Sequence, residues 1–233
     1  NYNDIDSTGV LIHPQEELDE IVKKSHDYGF QVCSHAIGDR AMETLLNSYE
    51  KVYKSSDNSD LRLCIIHCQF TNKNLLERFK NLNIVANVQP SFVMSDYPIV
   101  KTAVGKERAY ESYAWKSLIN KDIHTCFSSD APIESFNPLE SIYAAVTRKD
   151  LKGTPIAGWN THECISVEEA LKCYCVEPAY FNFEENIKGT ISEGKLADFV
   201  VLSEDIISID KDKIKDIEVL QTYVGGIRQF QKY

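Results

Sequence analysis

At 233 residues, 43% hydrophobic and 26% charged, the chain can bury a core and lies outside the disordered class. Its 25 Lys and Arg stand against 35 Asp and Glu, a net charge of −10 with no basic stripe, which argues against nucleic acid as a partner. No apolar run approaches the roughly 18 residues of a membrane span and no signal peptide is visible, so a cytoplasmic protein without membrane attachment is expected.

The seven cysteines contain no CxxC pair and are expected to be reduced structural thiols, several of them inside buried strands. The chain begins at Asn1, and both methionines, Met42 and Met94, are internal. A fragment or a processed chain is therefore expected.

In chain order, Pro14 opens a helix through Tyr28 that Gly29 ends, with Leu18, Ile21, Val22 and Ser25 as its inner stripe. A strand from Phe30 to His35 follows. Gly38 suits a tight turn beneath a pocket, and Asp39 is placed to cap a helix with Met42, Leu45, Leu46, Tyr49 and Val52 inward. After the polar loop Ser55 to Asp60, a strand Leu61 to His67 leads to a helix with Leu75, Leu76 and Phe79 inward. Ile84 to Val88 is a third strand, then a loop and a helix from Lys106 to Leu118. Ile123 to Ser129 is the fourth, before a helix opened by Asn137-Pro138 with Leu139, Ile142, Tyr143 and Val146 inward. Four consecutive β-loop-α units predict a parallel sheet.

Beyond residue 150 the pattern changes. Ser166-x-x-Glu169 is a capping box. Strands are expected at Gly189-Thr190-Ile191, Leu196 to Leu202 and Val219 to Gln229, the last folded into a hairpin at Gly225-Gly226. A domain boundary near residue 184 divides 1–184 from 185–233.

Three of the apolar runs end in metal-ligand residue types: His35, His67 and Asp130. The C-terminal end of a buried parallel strand is where α/β folds place their chemistry. His35 and His67 lie 32 residues apart and His67 and Asp130 lie 63 apart, close to one and two βα repeats of roughly 30 residues. Imidazole and carboxylate are the usual ligands of a catalytic zinc-type site, although a hydrogen-bonding role at each strand end is an equal reading from spacing alone. Cys68 lies close enough to His67 to be weighed as a ligand. His13, His26 and His124 read as surface or strand-start residues, and His162 as a residue that could line a pocket. Asp39 and Arg40 read as a helix cap with a nearby ion pair, with substrate contact as the alternative. Tyr113, Trp115 and Tyr143 read as core.

Several segments together are specific. They are His35-Ala36-Ile37-Gly38-Asp39-Arg40-Ala41, His67-Cys68-Gln69-Phe70, Gln89-Pro90-Ser91, Tyr113-Ala114-Trp115-Lys116-Ser117-Leu118, Ser129-Asp130-Ala131-Pro132-Ile133-Glu134, Ala144 to Arg148, and Gly194 to Leu202. With these the chain resembles the C-terminal half of the YtcJ-like, or amidohydrolase 3, family of metal-dependent amidohydrolases. The resemblance implies an α/β fold: strands 5–8 of a (β/α)₈ TIM-type barrel, plus strands of a small β-sandwich. It implies that His35 and His67 are the strand-5 and strand-6 metal ligands, and that Asp130 is the strand-8 aspartate that contacts metal and shuttles the proton. One or two divalent ions, zinc first among them, would serve the complete protein. The substrate would be a small molecule with a non-peptide, amide-type C–N bond.

Departures from the family pattern are Ile66 where Glu is usual, Cys68 for Ala, Ser128 for Gly and Lys116 for Arg. The family's strand-1 His-x-His pair and its metal-bridging lysine have no counterpart, and no His-x-His occurs in the chain. Four strands do not close an eight-stranded barrel. The rival expectation is therefore a half-barrel that is inactive alone and associates with an N-terminal half or with itself.

Overall fold

The computed structural model describes residues 1–233. The chain divides into two compact units, one of Asn1–Val88 with Asp96–Thr125, the other of Gln89–Ser95 with Cys126–Tyr233.

The first unit is built on parallel strands β1 (Cys33–Ala36), β2 (Cys64–His67) and β3 (Val85–Val88), with Cys33 opposite Cys64 and Cys64 opposite Val85. The Ala86 N–H donates to the carbonyl of His124, so the start of β4 (Thr125–Phe127) continues the sheet beyond β3. β2 and β3 are buried on both faces, as near-continuous apolar runs require. β1 is the edge strand, and its Cys33 and His35 are exposed. The strands are shorter than the apolar runs predict. Left-handed residues at Arg62, Asn83 and Asp122 break the chain before β2, β3 and β4, and Phe30 is exposed.

Helix α1 (Gln15–Asp27) starts after Pro14, and the left-handed Gly29 follows its end. Its predicted inner stripe is only partly covered, with Val22 buried and Ile21 exposed. Polar contacts hold it to α2 (Asp39–Ser55): the Ser48 hydroxyl donates to Asp19 at 2.7 Å, Gln15 donates to the Thr44 carbonyl, and Lys51 pairs with Asp19. All five predicted apolar residues of α2 are buried, and the Tyr49 hydroxyl donates to the Cys64 carbonyl at 2.8 Å. Helix α3 (Lys73–Asn81) is capped by the Asn72 side chain and buries Leu75, Leu76 and Phe79.

The segment predicted as a loop after β3 is a helix, α4 (Phe92–Val104), whose internal Pro98 and weak amphipathic stripe hide it from periodicity. The helix predicted over 106–118 is two, α5 (Lys106–Tyr110) and α6 (Trp115–Asn120), separated by a left-handed Tyr113 at φ +53°.

In the second unit α7 (Pro138–Thr147) starts as predicted, with Asn137 accepting from the Leu139 N–H and the four inward residues buried. Helix α8 (Val167–Phe181) carries both bonds of the Ser166–Glu169 capping box. Strands β5 (Phe199–Leu202), β6 (Val219–Val224) and β7 (Ile227–Gln231) form an antiparallel sheet in that order. The β6–β7 hairpin turns at Gly225 and Gly226, both with positive φ, as a two-residue hairpin of type I′ requires. Gly189-Thr190-Ile191 forms no strand. Gly189 has φ +93° and packs on α8, where a Cβ would lie 2.8 Å from that of Ala179. No helix is long and apolar enough to cross a membrane.

Candidate metal centre

His35 and His67 stand near the C-terminal ends of neighbouring parallel strands. Strand register places His35 opposite Ile66, and alternation would send His67 to the other face, with Ala36. The backbone prevents that. φ is +81° at His67 and +52° at Cys68, which ends the pleat, and the His67 ring lies against that of His35. The ring centroids are 4.5 Å apart with planes at 75°. His67 is buried and His35 is exposed.

An imidazole bound through one nitrogen at about 2.1 Å has its ring centre about 3 Å from the metal, so two such rings in tetrahedral geometry lie about 5 Å apart. The observed 4.5 Å is close to that spacing. The chemistry fits as well, since two imidazole nitrogens suit zinc, iron and manganese. No group of three or more His, Cys, Asp or Glu side chains is arranged to hold a metal.

Beside His35 lies a cavity of about 730 Å³, lined largely by apolar side chains that include Leu11, Leu18, Ile21, Leu45 and Phe70. At its rim Asp39 pairs with Arg108 at 3.5 Å and accepts from the Arg40 N–H, which supplies the ion pair that the sequence suggested. Gly38, not Asp39, occupies the N-cap of α2. Gly38 has φ −83°, and a Cβ there would meet nothing, so neither a left-handed turn nor a close approach explains it.

Cys68 turns away from a ligand role. Its thiol is fully buried and donates to the Ile65 carbonyl at 3.2 Å, and burial pushes its pKa up, which disfavours the thiolate a metal needs. Cys33 is exposed, unlike the buried thiol expected there, and a hydrogen bond with Cys64 holds its pKa below the ordinary thiol value.

In the second unit Asp130 follows β4 with φ +56° and is exposed; its carbonyl accepts from the Ile133 N–H. Two bonds fix its surroundings. Gln89 donates to the Ser128 hydroxyl at 2.8 Å, and Ser95 donates to Glu134 at 2.7 Å. Non-glycine residues in the left-handed region are uncommon and gather at functional sites, and both His67 and Asp130 share that feature. His162 is exposed, and His13 pairs with Glu17. Tyr113, Trp115 and Tyr143 are buried. Around His67, sequence reasoning assigned Gln69 no role and missed Asp96, and the two meet at Tyr113. Asp96 lies in the unforeseen α4, so no local pattern pointed to it.

A family model described as "Amidohydrolase family" (Amidohydro_3) matches residues 1–228. The chain belongs to that family. It is 38% identical over 232 residues to YtcJ of Bacillus subtilis (strain 168), whose name assigns it provisionally to the amidohydrolases, covering 99% of this chain and 43% of YtcJ. This places it among the YtcJ-like members. It is 23% identical over 225 residues to the N-substituted formamide deformylase of Arthrobacter pascens, covering 96% of this chain and 41% of that protein. Among solved structures, a metal-dependent hydrolase from Pyrococcus horikoshii OT3 superposes with a TM-score of 0.79 at 30% identity, covering 90% of this chain and 41% of that one. The chain thus spans about two fifths of the length of these relatives.

Proposed function

We propose that this chain supplies part of the active site of a metal-dependent hydrolase acting on a non-peptide, amide-type C–N bond of a small molecule. The observation that carries the reading is the His35–His67 ring pair, brought together by a left-handed turn that ordinary strand alternation would not produce. His35 and His67 would hold the metal, zinc by preference, through imidazole nitrogens. One or two divalent ions in the complete protein would supply Lewis acidity toward water and the substrate carbonyl. Asp130 would also contact the metal, and it would accept the water proton and deliver it to the leaving nitrogen. Similarity to a formamide deformylase supports an amide-type substrate. The architecture proposed is strands 5–8 of a (β/α)₈ barrel over 1–184 with sandwich strands over 185–233, in a cytoplasmic protein. Asp130→Asn in the full protein, assayed for amine release from N-formyl and N-acyl amines, should lower turnover by about 10²–10⁴-fold. Undiminished hydrolysis would remove Asp130 from the reaction.

A second reading concerns the chain in isolation. The free edge at β1, with exposed His35 and Ile37, and exposed Val200, Val224, Ile227 and Phe230 on the β5–β7 sheet favour a half-barrel that is inactive until it associates with an N-terminal half or with a second copy. Light scattering on the isolated chain tests this. A folded monomer at low concentration would rule it out.

A further inference from the structure

The left-handed turn at His67 and Cys68 is held from two sides. Toward β1, the N–H groups of Cys68 and Phe70 donate to the carbonyls of Ala36 and Ile37. On the other side, residues 69–71 run beside 111–113. Tyr113 N–H donates to the Gln69 carbonyl at 2.8 Å, Phe70 and Ser112 form an antiparallel bridge, and the Thr71 hydroxyl donates to the Glu111 carbonyl at 3.2 Å. The Tyr113 ring meets that of Phe70 edge-on, with centroids 6.1 Å apart. The two segments of that second contact meet at one carboxylate oxygen of Asp96, which accepts from the Tyr113 hydroxyl at 2.6 Å and from the Gln69 amide at 3.5 Å. Tyr113 and Gln69 are buried, so water does not readily replace these bonds.

We propose that Asp96 and Tyr113 are positioning residues that clamp Gln69 and thereby hold the His67 ring against that of His35. The proposal rests on the reading of His67 as a metal ligand. Gln69 lies two residues beyond His67, with only Cys68 between them. Left-handed conformations of residues with a side chain are unfavourable and persist where the surroundings over-determine them. Tyr113 itself has φ +53°, so the clamp is strained as well as the turn it holds. Released from it, the strand pleat can run on through His67, and alternation then carries the imidazole to the face away from His35.

The test uses the full protein with ¹³C-labelled histidine rings, without metal, as wild type, Tyr113→Phe, Asp96→Ala and Asp96→Asn. Tyr113→Phe and Asp96→Ala should displace or broaden the His67 ring signals and remove their nuclear Overhauser contact with His35, while His13 and His26 stay unmoved. Asp96→Asn keeps an oxygen that accepts from the phenol and should restore the wild-type pattern. Unchanged His67 signals in both disruptive variants would overturn the proposal. If Asp96→Ala does not fold, Tyr113→Phe decides, because it loses one hydroxyl and keeps the ring packing. A parallel cobalt(II) titration should show affinity falling about ten- to a hundred-fold in the disruptive variants, with altered visible bands. Equal cobalt affinity in all variants would likewise overturn the clamp. Wild-type protein that takes up no cobalt, with the histidine pattern as predicted, would remove the metal reading and leave the clamp standing.

Discussion

Gly158→Ala should destabilise the second unit far more than the same substitution five residues earlier. Gly158 has φ +78°, and an added Cβ would lie 2.5 Å from the Thr147 carbonyl oxygen and 2.8 Å from the Thr161 methyl. The oxygen is backbone at the end of α7 and has little room to give. The neighbouring residues are locked both ways: Trp159 N–H donates to the Arg148 carbonyl, Arg148 Nε donates back to the Trp159 carbonyl, and the guanidinium lies 5.0 Å over the Trp159 ring. Gly153, in the same loop, has φ +81° and would meet nothing within 4 Å. Gly153→Ala therefore isolates the conformational cost, about 1 kcal/mol. Gly158→Ala adds an overpacking cost of about 2 kcal/mol. At about 2–4 °C per kcal/mol for a chain of this size, the melting temperature should fall about 2–4 °C for Gly153→Ala and about 6–12 °C for Gly158→Ala. Differential scanning calorimetry on both variants measures the gap. Equal shifts, or a Gly158→Ala protein that melts like wild type, would refute the steric account.

Tyr49→Phe should cost about 1–2 kcal/mol in urea denaturation, because it leaves the Cys64 carbonyl without the buried hydroxyl it accepts from. Native-state alkylation followed by mass spectrometry should modify exposed Cys33 well before buried Cys68, and reversal of that order would contradict the burial of the β2 end. For Asp19, burial raises the pKa, but hydrogen bonds from Lys51, Ser48 and Gln15 outweigh it and the net shift is downward. A depressed folded-state pKa contributes stability that is present above the ordinary carboxylate value near 3.9 and is lost as pH falls through the folded value. The melting difference between wild type and Asp19→Asn should thus be full at pH 6 and close below about pH 4, and a gap that widens in acid would contradict the sign.

The elements most legible from sequence are those with a complete local code. Helix α2 carries its whole buried stripe within one amphipathic run, α7 starts at Asn137-Pro138, and α8 at a reciprocal capping box. The β6–β7 hairpin follows from two adjacent glycines in the left-handed region. Helix α4 was hidden by Pro98 and a weak stripe, so it forms from context rather than pattern. Gly189 looked like punctuation before a strand, whereas its role is to let the chain pass close over α8.

For the candidate site, spacing singled out His35, His67 and Asp130. Spacing did not reveal that His67 faces His35. Alternation alone argues the reverse, and the answer depends on a backbone turn fixed by Tyr113 and Asp96, which lie 46 and 29 residues further along the chain. Such a turn is a tertiary property, and no local signal encodes it.

Metal affinity of the two histidines tests the central claim most directly. The full protein, equilibrated with zinc against a competing chelator, is expected to hold zinc tightly, with His35→Ala and His67→Ala each lowering the affinity at least about tenfold while circular dichroism shows the fold retained. Zinc bound equally well by the His35→Ala/His67→Ala double variant would contradict the account.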